Sequence, residues 1–276
     1  MKQKSLFSLI FLGAIPVIVI IILFRINKLA GFIGILAYLL MIVLLNLNII
    51  YRIKAQTEYS KGNLRMAEKW FRKAAESKKA GTELLVNYGF VLFKEGKLKE
   101  AEEILRKAVE KSSNKDDKNL AKSNLALVIW KKGDLDTAFE MLKEVIEEYK
   151  STAVYGSIGY LAIEKGDLDE ALKINLEAYE YNSDNTIILD NLAHLYHLRG
   201  EMDKAGELFD RLMQKEPHFP EAYYDYGKYL EAGGDIQKAC EMYRRALNCR
   251  FSFNNTITRE QVQNELGRLT PQLGEN

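Results

Sequence analysis

The stretch Thr82–Ser113, TELLVNYGFVLFKEGKLKEAEEILRKAVEKSS, decides the fold. Two runs rich in helix formers, Leu84–Glu95 and Lys99–Lys111, carry apolar residues at spacings of three and four and meet at Gly96. Each run predicts an amphipathic helix, and the glycine supplies the positive φ that a helix end needs. Gly89, seven residues before Gly96, and Ala101, five after it, are small, so the two backbones can approach closely as an antiparallel hairpin.

The pattern recurs along the chain. Gly62, Gly96, Gly133, Gly166, Gly200 and Gly234 lie 34, 37, 33, 34 and 34 residues apart, and each is followed five residues later by alanine: Ala67, Ala101, Ala138, Ala171, Ala205 and Ala239. Seven residues before each glycine stands Ala55, Gly89, Ala126, Gly159, Ala193 or Gly227, and two after it Leu64, Leu98, Leu135, Leu168, Met202 or Ile236. A fixed pattern at this period marks stacked units, each burying its apolar face on its neighbours. Asn63, Asp134, Asp167 and Asp235 directly follow the glycine, where they suit the turn or the start of the next helix. Six hairpins are expected over residues 51–251, with a short loop insertion at Ser112–Lys118, where the spacing widens to 37.

These units resemble the tetratricopeptide repeat (TPR). Residues 82–113 match it with Asn87, Tyr88, Gly89, Leu92, Phe93, Gly96, Ala101, Leu105 and Ala108 at the family's places. The resemblance implies an all-α solenoid. The chain departs from the family in two places: the terminal proline appears only as Pro217, and the first unit has Ile53 and Lys54 where others carry asparagine and an apolar residue. Thr258 and Gln261 form a capping-box pattern opening a last helix of about ten residues, so residues 252–276 read as a C-terminal capping helix and tail.

Ser5–Phe24 and Leu29–Ile50 contain no charged residue. Each has the about 20 residues a helix needs to cross a roughly 30 Å hydrocarbon core, so residues 1–50 read as a two-helix transmembrane hairpin turning at Arg25–Lys28. A signal peptide is the alternative for the first span, but its apolar run is long and no small-x-small cleavage site follows. Lys2 and Lys4, with Arg52, Lys54, Lys61, Arg65 and Lys69, outweigh Arg25 and Lys28 in the turn. The repeats are therefore expected on the cytoplasmic side of a cell-membrane protein with two spans. The second span can continue as one helix into the first repeat or kink near Asn46–Asn48.

With 39 basic and 38 acidic residues, the net charge of +1 gives no support for nucleic-acid binding. Lys69, Arg72, Lys73, Lys78 and Lys79 make the first unit locally basic, which suits either anionic lipid or a solvated face. Cys240 and Cys249 are too few for a disulfide framework. Gly96-Lys97 is followed by Leu98, not the Ser or Thr of a phosphate loop, and no nucleophile elbow or zinc-protease motif occurs, so neither an enzyme nor a cofactor is expected. His194 and His197 share a helix face and with Asp190 would form a minimal metal set; ordinary groove histidines are the favoured reading, and no metal is expected.

The resemblance also implies that the first helix of each hairpin lines a concave groove, faced by the positions nine, six and three before the glycine. Nine before stand Asn87, Asn124, Ser157, Asn191 and Asp225. Asparagine both donates and accepts, so a ladder of them can hold the main chain of an extended peptide. Six and three before come Phe90 and Phe93, Leu127 and Trp130, Tyr160 and Ile163, His194 and His197, then Lys228 and Glu231. An aromatic stretch thus gives way to a polar end, although Phe93 and Trp130 can instead pack between repeats. Arg52 matches one place of the family's clamp for a C-terminal carboxylate, but Leu120 and Asn124 stand where further basic residues belong. The expected function is a membrane-embedded adaptor that binds a protein or peptide in this groove. An outward-facing envelope assembly or quality-control factor and a permanent structural subunit are the alternatives. An inner wall already filled by the chain's own side chains would overturn the groove reading.

Overall fold

Helices supply all the regular structure of the described residues, 13–77 and 80–273, in this computed structural model. The start of the first expected span, and Lys78 and Lys79 of the basic patch, lie outside the described residues. Two compact units are present, residues 1–80 and 81–276.

The first unit contains α1 (Ile15–Ile26), α2 (Lys28–Leu45), α3 (Leu47–Ser60) and α4 (Leu64–Ala75). Asn27 breaks the chain between the apolar helices, and its side chain accepts from the Leu29 amide at 2.7 Å, capping α2. Helix α2 runs back along α1, and the Phe24 ring lies on the face that Gly31 leaves bare, where a Cβ would stand 2.3 Å from it. Otherwise the pair buries almost nothing. Among the described residues one helix, Lys28–Leu45, is long and apolar enough to cross a membrane, with mean hydropathy 2.4 and 6% of it buried; Ile15–Ile26 is a shorter apolar helix.

The second span does not run on into the repeats. Asn46 interrupts it with φ −117°, and its Nδ2 donates to the Ile42 carbonyl at 2.7 Å. A side-chain amide competing with the backbone ladder ends the helix here, so Leu47–Ile50 open the first repeat helix instead of closing the span. In the hairpin that follows, Gly62 turns at φ 77° and Ala55 and Ala67 are fully buried. Tyr51 stacks on Trp70 at 5.7 Å, with Lys54 4.6 Å from the Trp70 ring centre.

The second unit holds five more hairpins: α5 (Thr82–Lys94) with α6 (Leu98–Lys111), α7 (Lys115–Lys131) with α8 (Leu135–Glu148), α9 (Thr152–Glu164) with α10 (Leu168–Tyr181), α11 (Thr186–Leu198) with α12 (Met202–Met213), and α13 (Pro220–Ala232) with α14 (Ile236–Asn248). Each leading helix packs on its own trailing helix and, from α7 onward, on the trailing helix before it. Gly96, Gly133, Gly166, Gly200 and Gly234 all turn at positive φ, between 74° and 101°. The acidic residues after three of them cap the trailing helices: Asp134 accepts from the Thr137 amide at 3.1 Å, Asp167 from Glu170 at 3.0 Å and Asp235 from Lys238 at 3.1 Å.

Close approach is clearest at Gly89, where an added Cβ would stand 2.6 Å from Leu105 Cγ, itself fully buried. The expected loop insertion at Ser112–Lys118 is largely helix. Asn114 accepts from the Asp117 amide at 2.8 Å, and Asp116 and Asp117 sit in the first turn, where the helix dipole favours negative charge. The extra residues therefore lengthen α7 to 17 residues. A last helix, α15 (Arg259–Leu269), starts at a capping box in which the Thr258 amide donates to Gln261 and the Gln261 amide to Thr258. Its Val262 and Leu269 bury against Tyr243 and Leu230 and close the end of the stack.

Gly89→Ala is expected to destabilise the full chain by about 1–3 kcal/mol, because the Leu105 side chain has nowhere to move. Gly267→Ala, in helix α15 with nothing within 4 Å of its added Cβ, is expected to leave stability unchanged or raise it. Thermal melts followed by circular dichroism compare the two.

Candidate partner-binding cavity

The leading helices of the second unit surround a concave cavity of about 550 Å³. Ten of the expected groove residues line it: Asn87, Phe90 and Phe93 from α5, Asn124, Leu127 and Trp130 from α7, Tyr160 from α9, Asn191 and His194 from α11, and Asp225 from α13. Ile163 and His197 do not. Ile163 is 6% exposed and packed between helices. His197 lies edge-on to Tyr229 at 6.0 Å, where burial pushes its imidazole pKa down. Among the described residues no group of three or more His, Cys, Asp or Glu could hold a metal ion, so His194, His197 and Asp190 make no such set.

The asparagine positions do not act alike. Asn191 is buried and its Nδ2 donates to the Gly156 carbonyl at 2.8 Å, tying α11 to α9. Asn124 donates to Leu120 of its own helix at 2.9 Å, and the Ser157 hydroxyl to Ala153 at 2.9 Å. Asn87 makes no side-chain hydrogen bond with the described residues. A uniform ladder for a foreign main chain is therefore absent: Asn191 spends its donor on the stack itself.

The cavity is roofed by the chain. Residues 251–257, between α14 and α15, form a non-helical strap across the mouth of the groove. The Phe253 amide donates to the Lys94 carbonyl at 3.3 Å, at the end of α5, and its ring meets Phe93 edge-on at 6.5 Å. Lys131 Nζ, at the end of α7, donates to the Asn255 carbonyl at 2.6 Å. At the start of α13, the Glu221 carboxylate accepts from Asn255 Nδ2 at 3.0 Å and from the Thr256 amide at 2.7 Å. Asn254, Asn255 and Thr256 line the cavity from above. The expectation of an open groove is corrected here: the wall is covered by the chain's own strap, and a cavity remains beneath it. The sequence signal was thin, a nonperiodic FSFNNT between the last repeat and the capping box.

A family model described as a TPR domain, of the IFT172 type, matches residues 96–266. The chain belongs to the tetratricopeptide-repeat family. Among curated relatives, BBSome complex member BBS4 of Bos taurus is 31% identical over 90 residues, 33% of this chain and 17% of that protein. TPR repeat-containing protein MJ1428 of Methanocaldococcus jannaschii is 26% identical over 124 residues, 45% of this chain and 20% of that protein. The chain thus spans a fifth or less of the length of these relatives. The solved structure of PilF from Pseudomonas aeruginosa superposes with a TM-score of 0.57 over 79% of this chain and 97% of that one, at 17% identity. That likeness is one of fold.

The TPR cavity has an aromatic side and an acidic side. Trp130 and Tyr160 meet edge-to-face at 5.4 Å, and Lys131 Nζ lies 4.5 Å from the Trp130 ring centre. Burial lowers the Lys131 pKa, with Glu221 and Glu164 opposing, and raises that of the Tyr160 phenol. Across the cavity stand Asp190, Glu221 and Asp225. Burial, then the charges of Asp225 and Glu221, push the Asp190 carboxyl well above the usual range. Asp225 is also pushed up by burial, with His194, whose Nδ1 lies 3.5 Å from Oδ1, acting against it.

Two outcomes follow from this geometry. Glu221→Gln removes the charge that holds the strap, and hydrogen exchange at the Thr256 amide is expected to quicken by about tenfold or more, as for loss of a charge-assisted hydrogen bond. For Asp190, a raised folded-state pKa means that its stabilising contribution is full below the unfolded value and is lost as pH rises through the folded one. Asp190→Asn is therefore expected to melt higher than the unaltered protein at neutral pH, with the gap closing as pH falls towards about 4.

Proposed function

We propose that the chain is a membrane-anchored scaffold whose second unit docks a segment of a partner protein in the roofed cavity. The TPR fold is that of a protein–protein interaction scaffold, and the observation that carries the reading is the strap. Polypeptide in a non-helical conformation already lies across the aromatic wall, held by main-chain and side-chain hydrogen bonds of the kind an incoming segment would use. A partner segment takes the place of the strap, meeting Phe93 and Lys131 and setting apolar anchors against Phe90, Trp130 and Tyr160. Ile15–Ile26 and Lys28–Leu45 anchor the chain as a two-span hairpin, and the excess of basic residues flanking that hairpin supports a cytoplasmic position for the repeats.

Full-length protein captured from solubilised native membranes tests the docking surface. A Phe90→Ala, Asn124→Ala, Tyr160→Ala variant that still folds is expected to lose the partners that the unaltered protein retains, and an unchanged set of partners would sink the reading. For topology, Glu103→Cys in the repeats is expected to resist a membrane-impermeant maleimide in intact cells while Lys28→Cys in the turn reacts, above the background of Cys240 and Cys249. The opposite pattern places the repeats outside.

A further inference from the structure

Three carboxylates face the cavity, and two have partners. Glu221 is engaged by Asn255 and Thr256 of the strap, and Asp225 has His194 at 3.5 Å. Asp190 differs. It is 5% exposed, it lines the cavity, and no donor among the described residues reaches its Oδ1. The charges that act on it, those of Asp225 and Glu221, are both negative. Lys131, the cation at the roof, feels Glu221 and Glu164, and Asp190 is not among its partners. A buried carboxyl without a counter-charge is expensive to keep, and its cost is relieved only by a cation or a proton.

The wall beside it suits a cation. Asp225 acts electrostatically on Tyr160, so the acidic and aromatic sides lie within reach of each other. Tyr160 meets Trp130 edge-to-face, a pair whose ring faces attract positive charge, and Lys131 already uses the Trp130 face in this way. An anion would meet three carboxylates, and a neutral apolar group would leave Asp190 unpaired.

We infer that the cavity takes an organic ammonium on an apolar stem, with the charge seated at Asp190 and Asp225 and the stem against Trp130 and Tyr160. This goes beyond the docking of a partner, because it concerns the chemistry the cavity accepts and holds whether the ammonium is a free amine or the lysine side chain of a bound segment.

Calorimetry on the full chain in detergent tests it with two matched pairs. Tyramine is compared with tyrosol, in which a hydroxyl replaces the ammonium, and the blocked peptide acetyl-Ala-Lys-Ala-amide with its norleucine counterpart. At least one cation is expected to bind about tenfold or more tightly than its neutral twin, as for a charge-assisted contact in a site shielded from water. Preference in the tyramine pair alone identifies a free amine as the source, and preference in the peptide pair alone a lysine side chain. Asp190→Asn is expected to abolish the preference without lowering the melting temperature, which separates a binding role from a structural one. Should that variant not fold, quenching of Trp130 emission by tyramine or the lysine peptide, and not by the neutral twins, in a Trp70→Phe background serves instead. Equal binding within both pairs, a preference that survives Asp190→Asn in a folded protein, or no selective quenching would overturn the inference.

Discussion

Everything in the second unit depends on how closely two helices can lie side by side. At each hairpin a glycine at positive φ reverses the chain in a few residues, and small residues on both arms remove the side chains that would hold the backbones apart. Ala101, Ala126, Ala138, Ala171, Ala193, Ala205 and Ala239 are all completely buried. A larger group at any of them would open the hairpin and break the contact between the next leading helix and the trailing helix before it. The repeat is therefore defined more by where bulk is forbidden than by which apolar residue fills the space.

The same packing makes the concave wall. Because leading helices follow one another along one side of the stack, residues spaced a repeat apart come to face a common space, and Phe90, Leu127 and Tyr160 line one cavity although they are far apart in sequence. Such a wall loses polar capacity wherever a side chain is needed to hold the stack. Asn191 is the example: its amide bonds the Gly156 carbonyl, satisfying a polar group in the interior and fixing two leading helices together. Position in the repeat predicts which way a side chain faces, but not whether its hydrogen bonds are already taken.

This division describes what was legible in the sequence. The period, the positive-φ glycines and the small-residue sites are local and recur six times, so they specify the hairpins and most of the cavity lining. Three features escaped because each depends on competition or on long-range contact. At Ser112–Lys118 a polar run looks like loop, yet Asn114 and the two aspartates behind it make a strong helix start. At Asn46 one side-chain bond to Ile42 outweighs the helical preference of an apolar run with neither proline nor glycine. The strap reaches Lys94, Lys131 and Glu221, more than 30 residues or more than 100 away in sequence, and no spacing within FSFNNT encodes those distances.

A roofed cavity obeys different energetics from an open groove. The strap is part of the chain, so it competes with any partner segment at an effective concentration no dilution can lower. Apparent affinity is the intrinsic affinity reduced by the fraction of molecules with the strap displaced. That fraction is set mainly by Glu221 and Lys131, whose bonds to Asn255 and Thr256 involve charged groups and cost more to break than neutral ones. The roof also thins the water beneath it, which strengthens electrostatics inside, the desolvation of Asp190 and Lys131 included. Cover and charge are thus linked. Closing the strap over the cavity makes Asp190 costlier to ionise alone and makes a cation beside it worth more, so the element that excludes weak partners also sharpens discrimination among those that enter.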